Sequence, residues 1–106
     1  MYGLIGKINV MPGKSDDLIN YLLEGVGDMP GCLSYVIAKA PTEADSIWIT
    51  EVWENEESHQ ASLLLPAVQQ AISRGKPLIS GFGERFVTQP IGGFGLMSSP
   101  SLSNTD

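Results

Sequence analysis

The sequence predicts an α+β domain of the ferredoxin-like kind, a βαββαβ protomer in which two helices lie on one face of a four-stranded antiparallel sheet. Three observations carry this. Four β-type and two helical stretches follow one another in that order along 106 residues, a length that holds one domain. The stretch Ser46–Pro66 passes from a strand into a helix with almost no loop between them. Finally, the second and third strands are apolar on both faces, so both sides of the sheet need a cover.

Taken in order, Tyr2–Val10 alternates, with Tyr2, Leu4, Ile8 and Val10 on one face and Lys7 and Asn9 on the other, and Pro12-Gly13 ends it. Ser15 is placed to cap a helix opening with Asp16 and Asp17. Leu18, Ile19, Leu22, Leu23 and Val26 form its apolar stripe, and Gly25 and Gly27 stop it. Met29-Pro30-Gly31 reads as a turn, with Pro pre-set for the second position and Gly free to take positive φ at the third. Cys32–Ala40 is the second strand, and Pro41–Asp45 a polar loop. In the third strand, Ser46–Trp53, Ile47, Ile49 and Trp53 share one face and Trp48 and Val52 the other. Asn55 then offers an N-cap, and Glu56 and Glu57 suit the positive end of a helix dipole.

This second helix carries Ala61, Leu64, Leu65, Val68 and Ile72 as one apolar stripe. Pro66 in its middle predicts a kink or a break. Any pocket lies where this helix packs on its own strand. Beyond Gly75, Lys76–Gly81 forms a short turn that inserts Leu78 and Ile79 into the core. Phe82–Gln89 is the last strand, with Phe82, Glu84, Phe86 and Thr88 on one face. The domain spans 1–92; 93–106 is a flexible C-terminal tail, of which Ser98–Asp106 is the mobile part. Because the helices cover one sheet face only, a second copy packed sheet to sheet is the natural cover for the other, which predicts a homodimer.

Composition excludes several functions. Lys and Arg number 6 against 12 Asp and Glu, a net charge of −6, which argues against nucleic acid or an anionic membrane as partner. A single cysteine, Cys32, fits a reducing compartment. The first ten residues lack the basic n-region of a signal peptide, and no window reaches the length of a membrane span. The expectation is a soluble cytoplasmic protein. One His and one Cys far apart match no zinc or iron ligand spacing, so no metal is expected.

Pro30-Gly31-Cys32 with Tyr35, then Glu51-Val52-Trp53, then the helix opening Asn55-Glu56-Glu57-Ser58-His59, together resemble the antibiotic biosynthesis monooxygenase family of dimeric α+β barrels. The resemblance covers about Tyr2–Gly92. It implies the ferredoxin-like protomer, a dimer, and a cofactor-independent oxygenase acting on a quinol or other aromatic substrate. Many quinol-oxidising members carry His where this chain has Ser62, and often another where it has Ala67. The haem-degrading branch relies on an Asn, a Trp and an iron-ligating His that align here with Gly6, Ser62 and Ile72. None of these three can do that work, so haem degradation is not implied.

Oxygenation without metal or flavin needs an electron-rich substrate, an apolar pocket and a base for the phenolic proton. His59 is the candidate base, the one side chain that titrates near neutrality. It shares a helix face with Ser62, Leu63 and Pro66, which either lines a pocket mouth or meets water. Trp53 is the second catalytic candidate; its indole N–H must find a partner, and Trp48 is a core, interface or pocket residue. Glu51 is a mid-strand carboxylate among apolar groups, costly unless paired. Arg85 on the last strand is its expected partner, as a structural ion pair or as an acid–base pair. Tyr35 and Ser62 are either hydrogen-bond partners for a phenolic substrate or packed, satisfied polar groups. The alternative function is a small-ligand-binding or accessory protein that kept the barrel and lost the chemistry.

Overall fold

In the computed structural model, which describes residues 1–96, the alternating stretch Tyr2–Val10 becomes the central strand β1. It pairs antiparallel with β3 (Ser46–Trp53) on one side and β4 (Ile79–Thr88) on the other, and β2 (Cys32–Lys39) lies outside β3. The order β2-β3-β1-β4 is that of the ferredoxin-like sheet. Helix α1 (Ser15–Gly25) joins β1 to β2, and α2 (Glu56–Ser62) and α3 (Pro66–Gly75) join β3 to β4. Pro66 therefore breaks the second helical stretch rather than kinking it. It stands at the first turn of α3, where a missing N–H costs nothing, with Leu65 extended before it.

Paired residues of antiparallel strands point to the same side. Tyr2 faces Trp53, Leu4 faces Glu51, Gly6 faces Ile49 and Ile8 faces Ile47, all on the helix side. The core lies there, with Val10, Leu18 and Ile47 buried and Ile8, Ile19, Leu22, Ile37, Leu78 and Ile79 packed around them. Leu18 and Ile47 are 0% exposed, and each such burial contributes about 1.5–3 kcal/mol. Helices α1 and α3 cross closely because glycine meets a side chain at both ends of the contact. A Cβ on Gly25 would stand 2.7 Å from Ala71 Cβ, and one on Gly75 would stand 2.7 Å from Leu18 Cδ1.

The opposite side of the sheet carries Ile5, Trp48, Val52, Val36 and Phe86, of which Val36 and Phe86 are each 52% exposed. Lys7 sits among them, held to both carboxylate oxygens of Glu43 at 2.8 Å, its Nζ 6.0 Å from the Trp48 ring centroid.

Several sequence expectations are corrected. Ser15 does not cap α1: Lys14 is the cap residue, and Ser15 Oγ donates instead to the Ala44 carbonyl (3.1 Å), pinning the helix to the β2–β3 loop. Leu23 is 53% exposed and lies outside the α1 stripe. The stripe expected along the second helix does not form, because the break resets the helical phase. Leu64 and Ile72 are exposed, and Ser62, Ala71 and Gly75 are the buried residues.

The last strand begins three residues early, at Ile79, and does not keep Phe82, Glu84, Phe86 and Thr88 on one side. Gly6 pairs with Arg85 but Ile8 pairs with Phe82, so β4 holds one extra residue there, a bulge that shifts its phase. Phe82 and Arg85 consequently both lie on the helix side, and Phe86 and Thr88 on the other. Of the expected tail, residues 93–96 follow a glycine turn, and Ser98–Asp106 lies outside the described residues.

Candidate functional site

Helix α2 follows β3 after only Glu54 and Asn55, and two local contacts set its rotation. Asn55 Oδ1 accepts the Ser58 N–H (2.8 Å), the expected cap. The Glu54 N–H donates to the Gly31 carbonyl (2.9 Å), tying the start of the helix to the turn before β2. Gly31 sits at φ +82° directly against Ser58, where any Cβ would collide with that side chain. So seated, α2 turns His59, Ser62 and Leu63 toward the sheet. Of the face described from the sequence as either pocket mouth or water-facing, His59, Ser62 and Leu63 line a cavity, and Pro66 is exposed.

His59 is 13% exposed and Glu51 16%. The imidazole lies between two aromatic rings, with centroids 5.7 Å from Tyr2 and 5.5 Å from Trp53, the latter edge-on. Its Nε2 is 3.9 Å from Glu51 Oε1, and its Nδ1 is buried without a hydrogen-bond partner among the described residues. Trp53, 1% exposed, donates its indole N–H to the same Glu51 oxygen at 3.0 Å. The expected Glu51–Arg85 ion pair does not form. Glu51 is instead shared by Trp53 and His59, which the strand–helix connection brings closer than a residue two strands away.

Burial pushes the Glu51 carboxyl above its ordinary range, against the lowering effects of the Trp53 hydrogen bond and of His59 and Arg85. Burial likewise raises the Tyr35 phenol, with Glu51 and Cys32 adding to it. Tyr35 faces Glu51 across β2–β3 and makes no side-chain hydrogen bond among the described residues. Ser62, 3% exposed, donates to the His59 carbonyl at 2.6 Å and so is satisfied within its own helix while lining the cavity.

These groups close one end of the space between helices and sheet. A small cavity of about 100 Å³ is walled by Trp53, His59, Glu51, Tyr35, Ser62 and apolar residues of α1 and α3. It shares Leu22, Tyr35, Ala71 and Ile72 with a larger, mainly apolar cavity of about 660 Å³ running under α1 and α3. Glu51 and His59 also border a third, of about 300 Å³, lying over Gly6 and bounded by Ile49, Phe82 and Arg85. Among the described residues, no three His, Cys, Asp or Glu side chains gather as a metal site.

Of the residues singled out in the sequence, His59, Trp53, Glu51, Tyr35 and Ser62 thus converge, and Arg85 stands at the rim. Trp48 does not join them. Paired with Lys7, it lies on the far side of the sheet and borders none of these cavities. Tyr2 was read only as a strand residue, although its ring packs against His59 at a tilt of 36°; its place opposite Trp53 follows from strand register alone. Met29 closes the cavity beside Val26.

Fold and site together define a ferredoxin-like protein with a buried acid–base cluster at the end of an apolar cavity. The chain belongs to the antibiotic biosynthesis monooxygenase family, whose sequence model matches residues 1–74. It is similar to a crystal structure from Chloroflexus aurantiacus J-10-fl, named provisionally as an antibiotic biosynthesis monooxygenase. The two are 56% identical over 91% of this chain and 98% of that one, with a TM-score of 0.88. Two further structures under the same provisional name share the fold. One, from Deinococcus radiodurans, is 22% identical over 92% and 100% of the chains (TM-score 0.72). The other, from Nitrosomonas europaea, is 10% identical over 87% and 100% (TM-score 0.78). No curated protein matches the chain. Among the described residues, no helix is long and apolar enough to cross a membrane.

Proposed function

We propose that the protein is a cofactor-independent monooxygenase that oxidises an electron-rich aromatic or quinol-type substrate with dioxygen. The observation that carries this reading is His59: a largely enclosed imidazole whose buried Nδ1 has no partner among the described residues, beside a carboxylate of raised pKa, at the end of an apolar cavity. A buried, unsatisfied nitrogen costs about 1–3 kcal/mol, and a phenolic hydroxyl would satisfy it.

In this mechanism His59 takes the phenolic proton, and Glu51 stabilises the imidazolium that results. The substrate anion gives one electron to dioxygen. Superoxide and the substrate radical then combine at a ring carbon to form a C–O–O bond and, after proton return from His59, a hydroperoxide. Loss of the remaining hydrogen from that carbon, with departure of water, leaves a carbonyl. One oxygen atom enters the product and the other leaves as water. Trp53 fixes the Glu51 carboxylate, and the Tyr35 hydroxyl offers the substrate a hydrogen bond.

Purified, metal-free protein given hydroquinones, naphthols and anthrones should show saturable oxygen uptake above a boiled-protein control. Labelled dioxygen should place one atom in the product. No uptake across the panel would defeat the oxygenase reading. It would favour the second one, a small-ligand-binding protein on the same scaffold, for which Ser62 and Ala67 in place of the histidines of quinol-oxidising relatives already argue. A ligand that raises the melting temperature without turnover would then mark that function.

The open sheet face supports assembly as a homodimer. Val36 and Phe86 are each half exposed on this face, and a second sheet would cover them. Light scattering at micromolar concentration should give twice the protomer mass of 11.4 kDa, and a monomer mass would exclude the dimer.

A further inference from the structure

We infer that the space over Gly6 is a subsite for an anionic substituent on a planar aromatic ligand, with Arg85 as the cation that anchors it. The inference rests on the aromatic-ligand reading above and names the kind of aromatic. Three features of the chain converge there. First, Gly6 opens the floor: a Cβ built on it meets nothing within 4 Å, and the cavity of about 300 Å³ lies above it. Every other helix-side position on β1 carries a side chain.

Second, Arg85 is brought to this side by the β4 bulge. In a regular strand residues three apart point to opposite faces, so without the bulge Arg85 would point away from the face that Phe82 shares with Gly6 and Ile8. Third, Arg85 has no carboxylate within salt-bridge distance among the described residues, whereas Lys7, Lys14, Lys39 and Arg74 each do. Glu84 also borders this cavity, but its charge acts on Lys7. Glu51 borders the same cavity from β3, two strands away from Arg85.

The spacing sets the ligand's size. Arg85 and Glu51 lie two strands apart and one residue pair offset, which at ordinary sheet spacings is roughly 12 Å between Cα atoms. A two-ring system with a carboxylate at one end and a phenolic hydroxyl at the other spans the gap between their side chains. Arginine suits a carboxylate through its paired, planar N–H donors. In a chain of net charge −6, binding an anion needs such a local cation. The bulge and Arg85 lie beyond residues 1–74, the part matched by the family's sequence model.

The test is equilibrium binding, followed by tryptophan fluorescence under anaerobic conditions, so that it does not depend on turnover. The probes are 2-naphthol and 6-hydroxy-2-naphthoate, the second with its carboxylate at the end of the ring system opposite the hydroxyl. The carboxylated probe should bind about tenfold more tightly or better, the effect of a charge-assisted hydrogen bond. Arg85→Gln should abolish that preference and leave naphthol affinity within about twofold, and Arg85→Lys should keep part of it. Gly6→Leu should weaken both probes about tenfold or more, with Gly6→Ala intermediate, since the alanine methyl fits without collision. Equal affinities in the unmodified protein, no binding of either probe, or a preference that survives Arg85→Gln would overturn the subsite. Tight, carboxylate-selective binding without oxygen uptake would defeat the oxygenase reading alone.

Discussion

Replacing His59 by alanine is expected to lower turnover by about 10²–10⁴-fold, the range a positioned general base supplies. The fold should survive the change, because the opposing effects nearly cancel. The substitution loses two ring contacts, to Tyr2 and Trp53, each worth about 0.5–1.5 kcal/mol. It also removes a buried nitrogen without a partner, a cost of about 1–3 kcal/mol, and places the best helix former in α2. His59→Gln supplies the control, since it keeps a hydrogen-bonding side chain of similar reach that cannot titrate. Single-turnover rates on the best substrate of the panel, with melting temperatures beside them, decide the matter. A rate unchanged in both variants removes His59 from the mechanism.

The fold was legible because its signals are local. Alternation in Tyr2–Val10, the apolar run on both faces of Ser46–Trp53, the Asn55 cap and the glycine at the Met29–Gly31 turn each specify their own few residues and agree with one another. The convergence of Glu51, Trp53 and His59 was within reach for the same reason: all three lie within nine residues, on a strand and the helix that follows it at once. What stayed hidden depends on phase. Pro66 announced a break, but no local feature says by how much a break rotates the next helix. The stripe therefore fell on Leu64 and Ile72, which are exposed, and missed Ser62 and Ala71. The β4 bulge is the same problem in a strand. One extra residue moves Arg85 from one side to the other, and the sequence Gly83-Glu84 marks it only by a glycine. Arg85 borders a cavity that Glu51 also borders, but Glu51, the partner expected for it, is engaged by nearer groups.

Glu51→Gln is expected to stabilise the protein at neutral pH while lowering turnover about tenfold or more. Burial holds the folded carboxyl above its unfolded value of about 4.3. Between those two values the folded chain keeps a proton that the unfolded chain has lost, so stability falls as pH rises through that window. Above the folded pKa the whole penalty of a buried charge is present, and below about 4.3 there is none. Glutamine carries no charge at any of these pH values, yet its carbonyl can still accept the Trp53 indole N–H. The variant should therefore have the higher melting temperature at neutral pH. That advantage should shrink steadily toward pH 4. Thermal melts of both proteins from pH 4 to 8 measure it. A variant less stable than the parent at neutral pH would mean that the ionised carboxylate is a net asset to the fold, held by Trp53 and His59 as a structural pair. A more stable and less active variant would mean that the site keeps a carboxylate there for its chemistry, at the expense of the fold that surrounds it.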